Sequence, residues 1–406
     1  MRFCAGDGRG RTSQTARGWK SVRIFFHDLS PSMSDRAPVT SLRSAERTPL
    51  LFTTNMGLED VAIDEYRERA ASAGIAVPEA DDAPLDLRSY ARVEVAAAPE
   101  RALELAWAMK SIHHVLAPLY TFSLPEDPEA ALRTIRATVE ALDVEAMEEA
   151  GTFRVTTVRR GEHDFTSIDV QREAGTGLEA HYGTTVDLED YDVEVRVDVH
   201  DDRCLVSVQH THEALSRRQA RLFQPRAALK PNVAFALLRL PHLDGPPDAV
   251  LDPFCGSGTI LWEAGALWPD ARLLGNDWNE ETLAGARDNA AAQDLTGRVT
   301  FFESDAWYLA DELGDRRVDL IATNPPFGVR LASSMDFRPF YRRVLQQFAE
   351  VLAPNGYVVM LVLRQGPFNA ARGEVDALTV RHVRVVEIGG LYPRVFVLRH
   401  APPSAD

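Results

Sequence analysis

Cysteine is scarce in this chain of 406 residues: Cys4, Cys204 and Cys255 are all there are. Three scattered thiols form neither a disulfide framework nor the paired spacing of a zinc site, and they fit a reducing cytoplasm. His113-His114 and the pair His210 and His212 have no matching ligands around them, so no metal is expected and these histidines read as surface or core residues. Long apolar runs are missing too. No stretch of about 18 apolar residues exists, so no transmembrane helix is expected, and Ile24-Phe25-Phe26 is too short for the core of a secretory signal. Lysine occurs only at Lys20, Lys110 and Lys230, so arginine carries nearly all the positive charge. That suggests a GC-rich bacterial genome, a coding bias before it is a physical signal. A positive balance is absent as well: the net charge is −16. Taken as a sum this argues against a nucleic-acid partner, but the distribution counts for more. From Ser216 the chain reads SRRQARLFQPRAALK, with Arg217, Arg218, Arg221, Arg226 and Lys230 and no acid.

What remains is a soluble globular composition, 45% hydrophobic and 26% charged, in a chain long enough for two or three domains. Residues 1–49 are rich in Gly, Ser and Arg with little apolar periodicity, and read as a disordered extension outside the chemistry; Met33 is a second candidate initiator. Two α+β stretches follow. In the first, 51–54 and 91–97 are strands, and a helix opens at Gly57 with Leu58, Val61, Ala62, Glu65 and Tyr66 at helical spacing. Pro99 starts a second helix, running to about His113. In the second stretch, 128–141 and 167–182 are helices and 153–158 is a strand. Residues 193–199 alternate strictly, which predicts one buried and one wet face; Asp201-Asp202 turns the chain into 204–208. From about Gln224 strands and helices alternate, with strands at 249–251, 272–276, 299–302, 318–323, 357–363, 383–388 and 395–398. That succession implies a doubly wound, mainly parallel sheet, and Gly389-Gly390 suggests a terminal antiparallel hairpin.

In an open α/β sheet, ligands bind beyond the carboxyl ends of the strands. The first strand of this alternation ends in Asp252-Pro253-Phe254-Cys255-Gly256-Ser257-Gly258-Thr259, where the glycines allow a sharp turn and close approach to a ligand. The second ends at Asp277-Trp278, where an acid can accept both ribose hydroxyls of an adenosine. The third leads to Ser304-Asp305-Ala306, placed to meet an adenine edge, and the fourth ends in Asn324-Pro325-Pro326-Phe327. The turn is not the dinucleotide fingerprint, because Leu261 stands at its third glycine position. Asp252 beside a pyrophosphate would repel it, whereas the ammonium and sulfonium of S-adenosylmethionine would be attracted. The fourth tip suits a planar amine. Asn324 Oδ1 and the Pro325 carbonyl can accept two hydrogen bonds from one exocyclic –NH2. Pro325 and Pro326 stiffen the turn, and Phe327 offers a face for a stacked base.

These residues resemble the class I S-adenosylmethionine-dependent methyltransferases. The run from Asp252 to Thr259 looks like their first motif, and the run from Asn324 to Phe327 looks like their amino-methyltransferase motif. Arg226-Ala227-Ala228-Leu229-Lys230-Pro231 resembles the segment that covers the methionine end of the cofactor in one subset. In that subset the catalytic module follows a THUMP domain and a small ferredoxin-like domain. Over about residues 50 to 400 the layout is similar to these THUMP-containing RNA methyltransferases, and most to those acting on guanine N2 in the tRNA acceptor stem. The resemblance implies an α/β, Rossmann-like class I methyltransferase domain at 232–402, preceded by a linker and cofactor-covering segment at 213–231. It also implies a THUMP domain at 123–212 and a ferredoxin-like domain at 50–122. S-adenosylmethionine is the implied cofactor, held by Lys230, Pro231, the motif from Asp252 to Thr259, Asp277, Trp278, Ser304, Asp305, Ala306 and Asn324. The implied partner is RNA, tRNA above all, with the THUMP unit taking its 3′ end; monomer and homodimer both stay open.

Amine methylation needs little acid–base machinery. With an excellent electrophile supplied, positioning for in-line attack carries most of the work. Asn324 and Pro325 are expected to bind the amine, and Phe327 to stack on a flipped base, offsetting part of the few kcal/mol of unstacking. Arg217, Arg218 and Arg221 are candidates for the RNA backbone, against an ordinary solvated helix. Arg330 is a candidate for a phosphate or the flipped base, against a surface salt bridge. Asp277 and Asp305 have a simpler use as helix caps. Cys255 as a nucleophile of the cytosine-C5 kind is outweighed by its place in the glycine turn. Adenine-N6 methylation, a ribosomal RNA guanine target, and a non-catalytic RNA-binding protein with this fold stay open at this point.

Overall fold

The structure, a computed structural model, describes residues 47–217, 222–225, 228–326 and 336–401. Of the residues singled out above, Arg218, Arg221, Arg226, Ala227, Phe327 and Arg330 lie outside the described residues, as do residues 1–46. The chain forms two compact units. One holds Ala98–Arg101 and Leu119–Val208; the other holds the stretch ending at Ala97, Ala102–Pro118, and everything from Gln209 onward.

The larger unit contains the alternating strands and helices. Its seven-stranded sheet has the order Val299–Glu303, Arg272–Asp277, Ala249–Asp252, Val318–Thr323, Leu352–Val362, Arg394–His400, Leu378–Val385. The first five are parallel, and the last two close the sheet as an antiparallel hairpin. Both faces are covered, which is why the central strands read as unbroken apolar runs. Val250, Leu320, Val359 and Leu361 face a core shared with Pro231–Arg239 and Thr259–Leu267. Leu251, Ile321, Val358 and Met360 face a second core under Phe337–Val351 and Gln365–Arg372. Strand order reverses between Ala249–Asp252 and Val318–Thr323, so the helices that follow them, Thr259–Leu267 and Phe337–Val351, lie on opposite faces and leave a crevice at the strand ends.

The same unit includes an antiparallel set made of Glu79–Asp81, Tyr90–Val95, Thr48–Thr53 and the leading residues of His114–Ser123. Helices Glu59–Ser72 and Pro99–Trp107 contribute to its core. The helix from Pro99 stops at Trp107, short of the expected His113. The cause is Glu65: its buried carboxylate accepts the backbone N–H groups of Lys110 (2.8 Å) and Ser111 (2.9 Å), so they are unavailable to a helix. The His113 N–H then bonds the Thr53 carbonyl, and the chain continues as a strand.

In the smaller unit, Thr152–Thr156 runs parallel to Val193–His200, with Thr185–Val186 beside it. Helices Pro128–Glu140 and Ser167–Tyr182 pack on each other. The strand Val193–His200 departs from expectation. All eight residues are buried, the polar ones included. Glu194 pairs with Arg154 (2.8 Å) and Asp198 with Arg196 (2.6 Å), so the alternation marks a polar network under cover, not a wet face.

Candidate cofactor and amine site

The crevice is built from strand ends in which each acid has a different set of partners. Asp252 closes Ala249–Asp252 and is 2% exposed. It accepts the hydroxyl of Thr323 (2.7 Å), the last residue of the neighbouring strand, and the Phe254 N–H (3.2 Å). Burial pushes its carboxyl up to about 7, against the pull of those hydrogen bonds. Asp277 closes the next strand and is half-buried. Its two oxygens accept the N–H groups of Gly256 (3.1 Å) and Asn279 (3.2 Å), and burial raises its carboxyl also. Asp277 is not a helix cap, since Asn279 caps the helix Glu280–Ala292. Asp305 is exposed and caps the short turn Ala306–Tyr308 through the Trp307 N–H (3.0 Å), so the simpler use weighed for it is realised there.

The buried Asp252, raised above its ordinary range, favours a cationic ligand, because an arriving positive charge restores the carboxylate. The glycine turn leaves room for one. Gly256 has φ 51, and a Cβ built there would meet nothing within 4 Å. Gly258 has φ 84, and a Cβ there would lie 2.8 Å from Trp262 Nε1, so the turn admits no side chain at that point. Trp278 is 75% exposed beside Asp277, Ser304 is half-buried and Ala306 is buried. An adenosine carrying an ammonium and a sulfonium fits this donor and acceptor set. Cys255 is buried and its thiol pushed well above the ordinary range by burial, which makes it a packing residue. Lys230 is exposed just before the helix Pro231–Arg239, Pro231 is buried, and Arg217 is exposed at the end of Leu215–Arg217.

The fourth tip follows Thr323 directly. Asn324 is half-buried, and among the described residues its Oδ1 is a buried acceptor with no hydrogen-bond partner. An unmet acceptor costs about 1–3 kcal/mol, and a donor arriving from outside the chain would satisfy it. Pro325 beside it is buried.

Several residues that shape this site escaped the sequence reading. Thr323 joins the Asp252 carboxylate to the amine loop. Asn276 donates to the Pro253 carbonyl (3.0 Å). Asn289, inside the helix Glu280–Ala292, bonds the Ser257 carbonyl (3.1 Å) and the linker at Leu222 and Phe223. A signal for Asn289 did exist: it is a polar residue on the helical face that carries Leu283, Ala286 and Ala290.

Residues 218–394 match the family described as RMKL-like, methyltransferase domain, and residues 129–209 match the THUMP domain. The tRNA (guanine(6)-N2)-methyltransferase of Thermus thermophilus is 39% identical over 352 residues, which is 85% of this chain and 98% of that relative. The crystal structure of TrmN from Thermus thermophilus superposes with a TM-score of 0.67 at 36% identity, covering 87% of this chain and 100% of that one. SMU.472, solved in complex with SAH, gives a TM-score of 0.67 at 17% identity over 89% of this chain and 99% of that one, a likeness of fold alone.

Proposed function

We propose a mechanism from one premise: this chain belongs to the family of THUMP-containing tRNA (guanine(6)-N2)-methyltransferases. It is an S-adenosylmethionine-dependent RNA methyltransferase of the Rossmann-like class I fold, and it methylates the exocyclic N2 of a guanine in tRNA. The cofactor supplies a methyl group on a sulfonium, so the protein's work is to place the amine and keep the base still. Asp277 would take the ribose hydroxyls with the lone pairs that Gly256 and Asn279 leave free, and Asp252 would balance the cofactor's positive end. The exocyclic nitrogen is a poor nucleophile because its lone pair is delocalised into the ring. Asn324 Oδ1 and the Pro325 carbonyl would accept hydrogen bonds from its two N–H groups, favouring a more pyramidal, more nucleophilic nitrogen. A strong base is not needed, since the proton can leave after transfer.

The observation that carries this reading is the orphaned Oδ1 of Asn324, one residue from the Thr323 hydroxyl that bonds Asp252. The unmet acceptor is one residue along the chain from a side chain bonded to the acid of the proposed cofactor turn, which supports the reading. Further parts of the reading rest on resemblance. The THUMP domain, which we take as 123–212, is the reader of the folded tRNA end, and Arg217 is a backbone contact at the start of the linker 213–231. The stretch 50–122 is taken as the ferredoxin-like domain and 232–402 as the catalytic domain. Guanine 6 of the acceptor stem is the target base. Cytoplasmic residence is supported by buried, free Cys204 and Cys255, and among the described residues no helix is long and apolar enough to cross a membrane.

The test is a methylation assay on unmodified tRNA with labelled cofactor, followed by digestion to nucleosides. The label is expected in N2-methylguanosine. Asn324→Ala should lower kcat/KM by about 10²–10³-fold, as loss of one preorganised polar contact at a reacting centre does, with tRNA affinity retained. Label in N6-methyladenosine, or a fully active Asn324→Ala, overturns the reading.

A further inference from the structure

The stretch Leu222–Phe223 is tied to the glycine turn through one side chain. Asn289 is completely buried in the helix Glu280–Ala292. Its Oδ1 accepts the N–H groups of Leu222 (2.9 Å) and Phe223 (3.0 Å), and its Nδ2 donates to the carbonyls of Phe223 (2.8 Å) and Ser257 (3.1 Å). Both lone pairs and both protons of the amide are therefore used. One turn earlier, Gly285 makes the seat for Phe223: a Cβ there would lie 2.2 Å from the phenyl ring.

The grip on Ser257 matters because of its neighbours. Ser257 lies between Gly256 and Gly258, both at positive φ. Glycine on either side leaves the adjoining peptide planes with little steric resistance to rotation. The plane joining Ser257 to Gly258 is held at two points: the Gly258 N–H donates to the Cys255 carbonyl (2.7 Å), and the Ser257 carbonyl accepts from Asn289. Without Asn289 one hold remains, and the turn samples conformations that do not fit the ligand.

We propose that Asn289 is a positioning residue for the cofactor, locking the linker at 222–223 and the Ser257–Gly258 peptide into one rigid piece from outside the pocket. This rests on Asp252–Thr259 being the cofactor turn. Its consequence is that cofactor affinity depends on Asn289 while the chemical step does not. Linkage makes the effect reciprocal, so cofactor also steadies the stretch 222–223.

The test uses full-length protein and S-adenosylhomocysteine as the probe in calorimetry, with KM for the cofactor and kcat measured on tRNA. Asn289→Ala is expected to raise the probe's Kd and the cofactor KM by about tenfold, with kcat at saturation little changed, the mark of lost uniform binding. Gly285→Ala, which unseats Phe223 but leaves the Asn289 amide in place, should shift Kd the same way by a smaller factor. A folded Asn289→Ala with lowered Tm and unchanged Kd overturns the inference. If that variant does not fold, an unchanged Kd in Gly285→Ala overturns it. Failure of the wild-type protein to bind the probe would instead refute the cofactor turn itself.

Discussion

Asp252 shows how one buried carboxylate sets the pH behaviour of the site. Its folded value, about 7, lies far above the ordinary 3.8 because burial outweighs the hydrogen bonds from Thr323 and Phe254. The group therefore binds a proton more tightly folded than unfolded. Its contribution to the stability of the ligand-free protein is complete below the ordinary carboxylate value and is lost as pH rises through about 7. Cofactor binding runs the other way, because a cationic ligand selects the carboxylate. Cofactor affinity is expected to weaken by up to about tenfold for each pH unit below 7, with a proton released on binding near neutrality. Calorimetry across that range, in buffers of different ionisation enthalpy, measures both; an affinity flat with pH would show that Asp252 is not in contact with the cation. The acid itself was legible in the sequence because it ends an apolar strand. Its elevated value was not, because that depends on Thr323 and on the depth at which two strands place it.

At the scale of single elements, the helix Ser167–Tyr182 was legible to the residue, and its ends explain why. Thr166 and Asp169 form a reciprocal capping box, and Gly183 closes the helix in the left-handed conformation. Gly177 in its middle has no such local reason. A Cβ there would lie 2.7 Å from the carbonyl of Arg136 in the packed helix Pro128–Glu140. Gly177→Ala improves helix propensity by about 1 kcal/mol, but the obstacle is backbone and cannot swing aside, so overpacking of about 1–3 kcal/mol wins. Chemical unfolding of the full chain should show a net loss of stability in the smaller unit; a gain would mean the two helices separate at little cost. Val193–His200 is the opposite case. Its alternation was plain, but which face meets water depends on what lies over it. Glu65 ending the helix after Pro99 is of the same kind, a partner 45 residues away in sequence.

At the scale of the whole chain, residues 47–97 belong to the larger unit with the seven-stranded sheet. Leu58 and Val61 share a core with Val233, Leu237 and Val386. Asn55 donates to the Glu387 carbonyl (2.7 Å) and accepts from Asn232 (2.7 Å), the second residue of the helix after Lys230. Asp60 pairs with Arg384, and Gly57 packs so closely that a Cβ would lie 2.0 Å from the Val385 carbonyl. A chain beginning at Gln209 loses all of this and exposes the apolar seat of Leu58 and Val61. It is expected to unfold without cooperativity and to aggregate, seen as a broad thermal transition and a weak near-ultraviolet circular dichroism signal. A sharply melting, cofactor-binding 209–406 fragment would contradict that.

The sequence by itself determined where the parallel strands end: apolar runs mark them, and Asp252, Asp277 and Asn324 stand where those runs stop, whereas the edge strand expected at 383–388 is Leu378–Val385. Local chemistry suffices for that, because strand ends, glycine turns and caps are written within a few neighbouring residues. Only the tertiary structure decided which of these groups are buried, that the Asn324 amide is left with an unmet acceptor, and that Asn289, Thr323 and Asn55 hold the parts together. Burial and hydrogen-bond completion depend on segments tens to hundreds of residues apart in sequence, and no local pattern records which of them will meet.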